Sequence, residues 1–81
     1  MENWKYVVLD MPQAETIIIF PPHLTHADMT MGFPAVSAGF LSFRQSTKKF
    51  FCYGSSSSLG IPSRPDEDAW YANKLLNPRD L

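Results

Sequence analysis

The sequence is poor in the residues that mark several common classes of protein. It contains a single cysteine, Cys52, in 81 residues, so no disulfide can form within the chain. Seven basic residues against eight acidic ones leave a formal net charge of −1, without the basic excess of general nucleic-acid binders. The apolar stretch at residues 16–20 is far too short to span a bilayer. We expect a protein of the reducing cytoplasm that binds neither membranes nor nucleic acids in general.

Motifs that carry chemistry are equally scarce. The chain has no GxGxxG fingerprint, no Walker lysine and no GxSxG elbow, and no spacing ties a serine to a histidine as nucleophile and base. A chain of this length also has little room to enclose and desolvate a substrate. We therefore predict a protein that is not an enzyme and needs no cofactor.

Apolar residues are abundant: 44% of the chain is hydrophobic and 14% is aromatic. The length predicts a single domain over residues 1–81, and such a domain buries only about 60% of its unfolded surface. Some aromatic surface should therefore stay exposed on a monomer. This favours a homodimer or a surface that meets another partner.

Strand patterns divide the first two thirds of the chain. Residues 4–9 and 16–20 are rich in β-branched and aromatic side chains and are joined by a short turn, which predicts an antiparallel hairpin. The unbroken apolar run of residues 16–20 predicts a central strand covered on both faces. Residues 35–43 and 50–53 predict a second hairpin, with a short helix or turn over residues 23–31 between the two.

Helix signals follow at the C-terminal end. Ser63 can cap a helix that starts near Pro65, and the three acids after that proline complement the helix dipole. Asn77 and the proline after it predict a stop after residue 76. The fold class is therefore α+β: a four-stranded, mainly antiparallel sheet with a C-terminal helix packed on one face. The predicted inward stripe of the helix is Ala69, Ala72, Leu75 and Leu76.

A hydroxyl-rich loop between the last strand and the helix is the first candidate site. Serines 55–58 offer small donors and acceptors, and the flanking glycines allow close approach of a ligand. Asp66 to Asp68 would repel a phosphate at the helix end, so we expect a neutral or weakly charged group with Arg64 as the neighbouring cation. The alternative is that the loop is only a flexible connector.

Two other groups of residues offer weaker signals of chemistry. His23, His26 and Asp28 lie within six residues, and a helical spacing would place the two histidines on one face, as in some metal sites. No third histidine and no pair of cysteines completes the set, so we predict no metal site. A metal-dependent hydrolase that uses these three residues is the alternative to a non-enzymatic function. Cys52 lies among aromatic residues, which predicts a buried, unreactive thiol.

Four short motifs carry a resemblance. They are VSAGF at residues 36–40, CYGS at residues 52–55, the pair Ser58-Leu59 and SRPDEDA at residues 63–69. Over roughly residues 34–69 the chain resembles small uncharacterised proteins of bacterial genomes and prophages. The resemblance implies a short α+β protein of bacterial or phage origin whose segments from Gly39 to Arg64 converge, and it implies no particular activity.

Together these observations predict a non-enzymatic, dimeric binding protein. We expect a host-modulating or anti-defence factor that either sequesters a small nucleotide-like ligand or occupies a host protein, in the cytoplasm of a bacterium or infected cell. The other readings are the hydrolase above and an accessory subunit of a larger assembly. The predicted ligand-binding residues are Ser37, Gly39, Tyr53, Ser55, Ser58 and Arg64.

Overall fold

The computed structural model describes residues 3–77 and contains the predicted α+β architecture. Four antiparallel strands form a sheet in the order β2-β1-β3-β4, and a C-terminal helix packs on it. Both predicted hairpins, β1–β2 and β3–β4, are present. Within residues 3–77 no helix is long and apolar enough to cross a membrane. The elements are β1 (Trp4–Asp10), β2 (Glu15–Phe20), a 3-10 turn (Ala27–Met29), β3 (Ala35–Arg44), β4 (Lys49–Tyr53), β5 (Ser55–Ser56), β6 (Ile61–Pro62) and α1 (Pro65–Leu76).

β1 and β3 are the two inner strands of the sheet and β2 is an edge strand, so the prediction that residues 16–20 form a central strand is wrong. The four β1 residues from Tyr6 to Leu9 are fully buried, because β2 and β3 flank them and both faces are covered. β2 lies at the edge, and Ile17, Ile18 and Ile19 are only partly buried. An unbroken apolar run indicates that both faces of a strand are covered, but it does not indicate whether the strand has a hydrogen-bonded neighbour on each side.

The sheet separates two small cores. The core under α1 consists of Tyr6, Val8, Leu41, Cys52 and Ala72. The opposite core consists of Val7, Leu9, Phe20 and Ala38, and it is covered by side chains of the segment between β2 and β3 and by Leu59. The short β5–β6 hairpin therefore reaches one face of the sheet, while the helix that follows covers the other.

The helix has the predicted bounds, but two details differ. Arg64 is the N-cap residue and has no side-chain capping bond; its N–H donates instead to the Asp68 carboxylate at 2.8 Å. The expected Ser63 cap is therefore wrong. Leu75 and Leu76 are 59% and 42% exposed, although both were predicted to face inward. Helical periodicity identifies the inward face, but it does not tell how far the sheet extends beneath the last turn.

Candidate functional site

A fully buried carboxylate, that of Asp68, organises the polar groups beneath α1. It accepts hydrogen bonds from the Tyr6 hydroxyl, from Ser37 Oγ at 2.8 Å and from the Arg64 backbone N–H at 2.8 Å. The Arg64 guanidinium completes the set: Nε donates to Asp68 Oδ1 at 3.2 Å, and Nη2 forms an ion pair with the same oxygen at 3.1 Å. Because donors surround both oxygens, the charge is compensated without water.

Sequence reasoning missed this role of Asp68. It treated the residue as one of three acids that interact with the helix dipole. The available signal was the helical spacing: Asp68 precedes Ala72 by four residues and therefore lies on the inward stripe. An acid on such a stripe is buried, and burial requires several donors close by.

Arg64 is held between two carboxylates. Its Nη2 lies 3.0 Å from Glu15 Oε1 and 3.1 Å from Asp68 Oδ1. The Tyr71 hydroxyl donates to the same Glu15 oxygen at 3.3 Å. An anionic ligand at Arg64 would thus compete with two negative charges that already neutralise the guanidinium.

Two titratable groups in this region are shifted in the same direction. Burial, and then the bond to Asp68, raises the pKa of the Tyr6 hydroxyl far above its usual range. Burial, and then the negative charge of Asp68, raises the pKa of the Cys52 thiol to about 12. Both groups are neutral near pH 7, so Cys52 is the buried, unreactive thiol that its aromatic surroundings predict.

Hydroxyls of the serine loop bond mainly within the fold. Ser56 is buried and its Oγ accepts the Leu59 N–H at 3.1 Å. Ser58 Oγ accepts the N–H of Ala27 at 3.2 Å and so attaches the loop to the 3-10 turn. Ser55 pairs with Pro62 between β5 and β6 and is exposed. Of the two loop serines that were predicted to bind a ligand, Ser58 attaches the loop to the 3-10 turn and Ser55 faces solvent.

Gly39 and Tyr53 meet where β3 and β4 pair. A methyl group on Gly39 would collide with the Tyr53 carbonyl oxygen, so the close approach of the two strands requires glycine. The Gly39 carbonyl also lies 2.9 Å from Nε2 of His26, and the Tyr53 ring stacks on Phe40. The six predicted residues therefore fall into separate groups: Ser37 with Arg64, Gly39 with Tyr53, and the two serines apart.

His26 has a different environment from His23 and Asp28, the other residues of the alternative hydrolase site. It is buried between the rings of Phe20 and Phe40, whereas His23 and Asp28 are exposed. In the described part of the chain, no three His, Cys, Asp or Glu side chains are grouped so that they could hold a metal ion. The metal-dependent hydrolase stays a hypothesis without a geometric argument.

An apolar groove lies at one end of the helix face. It is open to solvent, and its volume is about 470 Å³. Trp4 is 42% exposed, so with Leu75 and Leu76 the groove presents three large apolar side chains to water. We call it the end groove; its lining residues are Trp4, Ile19, Leu41, Phe50, Leu75 and Leu76.

No protein family, curated protein or solved structure matches this chain. Its function therefore has to be inferred from its residues and their geometry. The buried cluster around Asp68 and the end groove offer opposite chemistry. The first is polar and internally satisfied, and the second is apolar and open.

Proposed function

We propose that this chain is a non-enzymatic interaction protein that binds a protein partner through the end groove. The supporting observation is the exposure of Trp4, Leu75 and Leu76 around one apolar depression. Contiguous exposed apolar side chains on a small protein mark interaction surfaces, and a tryptophan in such a surface is a common binding hot spot.

The polar side chains that were predicted to bind a ligand support this proposal, because they already form hydrogen bonds or ion pairs within the protein. Across residues 3–77, every buried side-chain nitrogen and oxygen has a hydrogen-bond partner. Arg64 is neutralised by Glu15 and Asp68, and Ser58 is bonded to the 3-10 turn. A small nucleotide-like ligand at these residues would have to break internal bonds, whereas a protein at the end groove would cover surface that water now contacts.

The resemblance of the motifs at residues 36–40, 52–55 and 63–69 to bacterial and prophage proteins supports a bacterial setting for the partner. We propose a host protein as the partner, so that the chain acts as a host-modulating or anti-defence factor in the bacterial cytoplasm. An accessory subunit of a larger assembly would use the same apolar surface for a permanent contact.

Capture from bacterial lysate tests the proposal. The tagged wild type is compared with a Leu75→Ser/Leu76→Ser variant and with a Ser55→Ala/Ser57→Ala control, which changes two exposed hydroxyls of the serine loop. We expect the wild type and the control to retain the same host protein and the leucine variant to lose it. Circular dichroism confirms that each variant is folded. A co-purified nucleotide-like ligand that Arg64→Ala abolishes, without any groove-dependent protein, would overturn the proposal.

A further inference from the structure

We infer that β2 is a self-pairing edge: a second copy adds its own β2 antiparallel to the first, and the two sheets join into one. This inference rests on the proposed role as an interaction protein, but it uses a different surface. The sheet edge binds the second copy, and the end groove binds the partner.

The β2 edge is open and unprotected. β2 is hydrogen-bonded to β1 on one side, and in the described residues no other strand pairs with it. Its centre is Ile17, Ile18 and Ile19, all partly buried, with no lysine, proline or bulge among them. Natural proteins usually protect exposed edges by such devices, because unpaired N–H and C=O groups recruit another strand. The one charge of β2, on Glu15, is engaged by Arg64.

The opposite edge of the sheet is partly covered. The side-chain amide of Asn73 accepts the Phe50 N–H and donates to the Phe50 carbonyl, both at 2.9 Å. This amide occupies the outward N–H and C=O of Phe50 as a neighbouring strand would. Lys49 adds a charge at the start of the same strand. Of the two edges, β2 is therefore the more accessible to a partner strand.

The sequence of β2 complements itself. With a two-fold axis at Ile18, that residue faces its own copy, and Ile17 faces Ile19 of the other chain. The side-chain faces agree, because Ile17 and Ile19 contact the core under α1 and Ile18 contacts the opposite core. Isoleucine therefore meets isoleucine at each central position, with no charge opposite another. Such an isologous contact is the usual basis of a closed dimer, and a foreign strand would lack this match.

Solution mass is the first test, measured by light scattering and sedimentation at rising concentrations of the purified full chain. We expect the wild type to approach twice the chain mass of 9.2 kDa. Ile18→Lys places two lysines opposite each other, so the dimer dissociation constant should rise more than about a hundredfold. Ser46→Lys adds the same charge in the exposed turn between β3 and β4 and should leave the dimer intact. A monomeric wild type, or a folded Ile18→Lys variant that still dimerises, overturns the inference.

Cross-linking is the second test and does not depend on a destabilising substitution. Ile18→Cys brings two thiols into facing positions, so mild oxidation should produce a covalent dimer rapidly. Lys49→Cys on the opposite edge is the control and should cross-link slowly, while the native Cys52 is buried and does not compete. Equal rates for the two variants would overturn the inference. A monomer that still captures a groove-dependent host protein refutes self-pairing alone, whereas a dimer without such a protein refutes the proposed function alone.

Discussion

The hydroxyl of Tyr6 on β1 donates a hydrogen bond to the carboxylate of Asp68 on α1, across 62 positions of the sequence. Ser37 of β3 donates to the same carboxylate, so one acidic side chain connects the helix to two neighbouring strands. Hydrogen bonds to a charged group contribute a net stabilisation of about 1.5–3 kcal/mol each. The position of α1 is therefore fixed by directional bonds as well as by the packing of Ala72.

The first prediction concerns Asp68 itself. Asp68→Asn removes the charge that pairs with Arg64 and turns an amide N–H toward donors, so the free energy of unfolding should fall by about 2–4 kcal/mol. Urea denaturation followed by circular dichroism measures the change. Asp66→Asn is the matched control, since Asp66 is exposed in the same helical turn and should cost less than about 1 kcal/mol. Similar losses in the two variants would contradict the role of the buried cluster.

The second prediction is a loss of stability at alkaline pH. The pKa of Cys52 is raised from its ordinary 9.0 to about 12, and that of Tyr6 is raised above its ordinary 10.0. Between pH 9 and about 12 the unfolded chain therefore loses protons that the folded protein retains, and the free energy of unfolding falls. Each group contributes a slope of up to about 1.4 kcal/mol per pH unit.

Urea unfolding at a series of alkaline pH values measures this slope. Tyr6→Phe removes one of the two groups, so its stability should decline less steeply than that of the wild type above pH 10. The comparison cancels the contribution of the other two tyrosines and of the lysines, which both proteins share. Parallel curves for the two proteins would show that Tyr6 is not held neutral in the folded state.

The third prediction concerns the contact between β3 and the end of β4. Gly39→Ala forces a methyl group against the Tyr53 carbonyl oxygen and should destabilise the protein by about 1–3 kcal/mol. Thermal unfolding provides the measurement. Ser55→Ala, an exposed change on the neighbouring β5, should stay within about 0.5 kcal/mol of the wild type. If Gly39→Ala leaves the thermal stability unchanged, β3 and β4 can move apart at this point at little cost in free energy.

The fourth prediction tests the edge of the sheet at β4, where Asn73 covers the backbone of Phe50. Asn73→Ala frees the outward N–H and C=O of Phe50 and should cost about 1–2 kcal/mol. The opened β4 edge should also increase aggregation on storage, which light scattering detects. Lys74→Ala changes the next residue on the helix and leaves both Phe50 bonds in place. Equal solubility of the two variants would show that the edge needs no protection from Asn73.

Local signals were sufficient to predict most of the architecture. Short connections between apolar strands identified both hairpins, and Pro65 with the Asn-Pro pair at residue 77 gave the bounds of α1. The order of the strands was not accessible, because β1 and β2 have similar apolar runs. Only the long-range pairing of β1 with β3 places β1 at the centre.

The candidate site was less predictable than the fold. Ser37 and Arg64 were both named, and the structure places both on the Asp68 carboxylate, but the acid that joins them was assigned to the helix dipole. Their meeting depends on the register between strands and on the rotation of the helix. Neither quantity is visible in a local pattern of residues. The exposure of Leu75 and Leu76 was missed because helical periodicity does not tell how far the sheet extends beneath the last turn.

The cluster around Asp68 also constrains the order in which the protein can be completed during synthesis. Tyr6 and Ser37 emerge from the ribosome long before their shared acceptor, and until then their hydroxyls can be satisfied only by water. The β1–β2 hairpin can pair early, but the core under α1 cannot close until the helix sequence has been translated. Until then the sheet has one apolar face uncovered, and that stage is the one most open to aggregation.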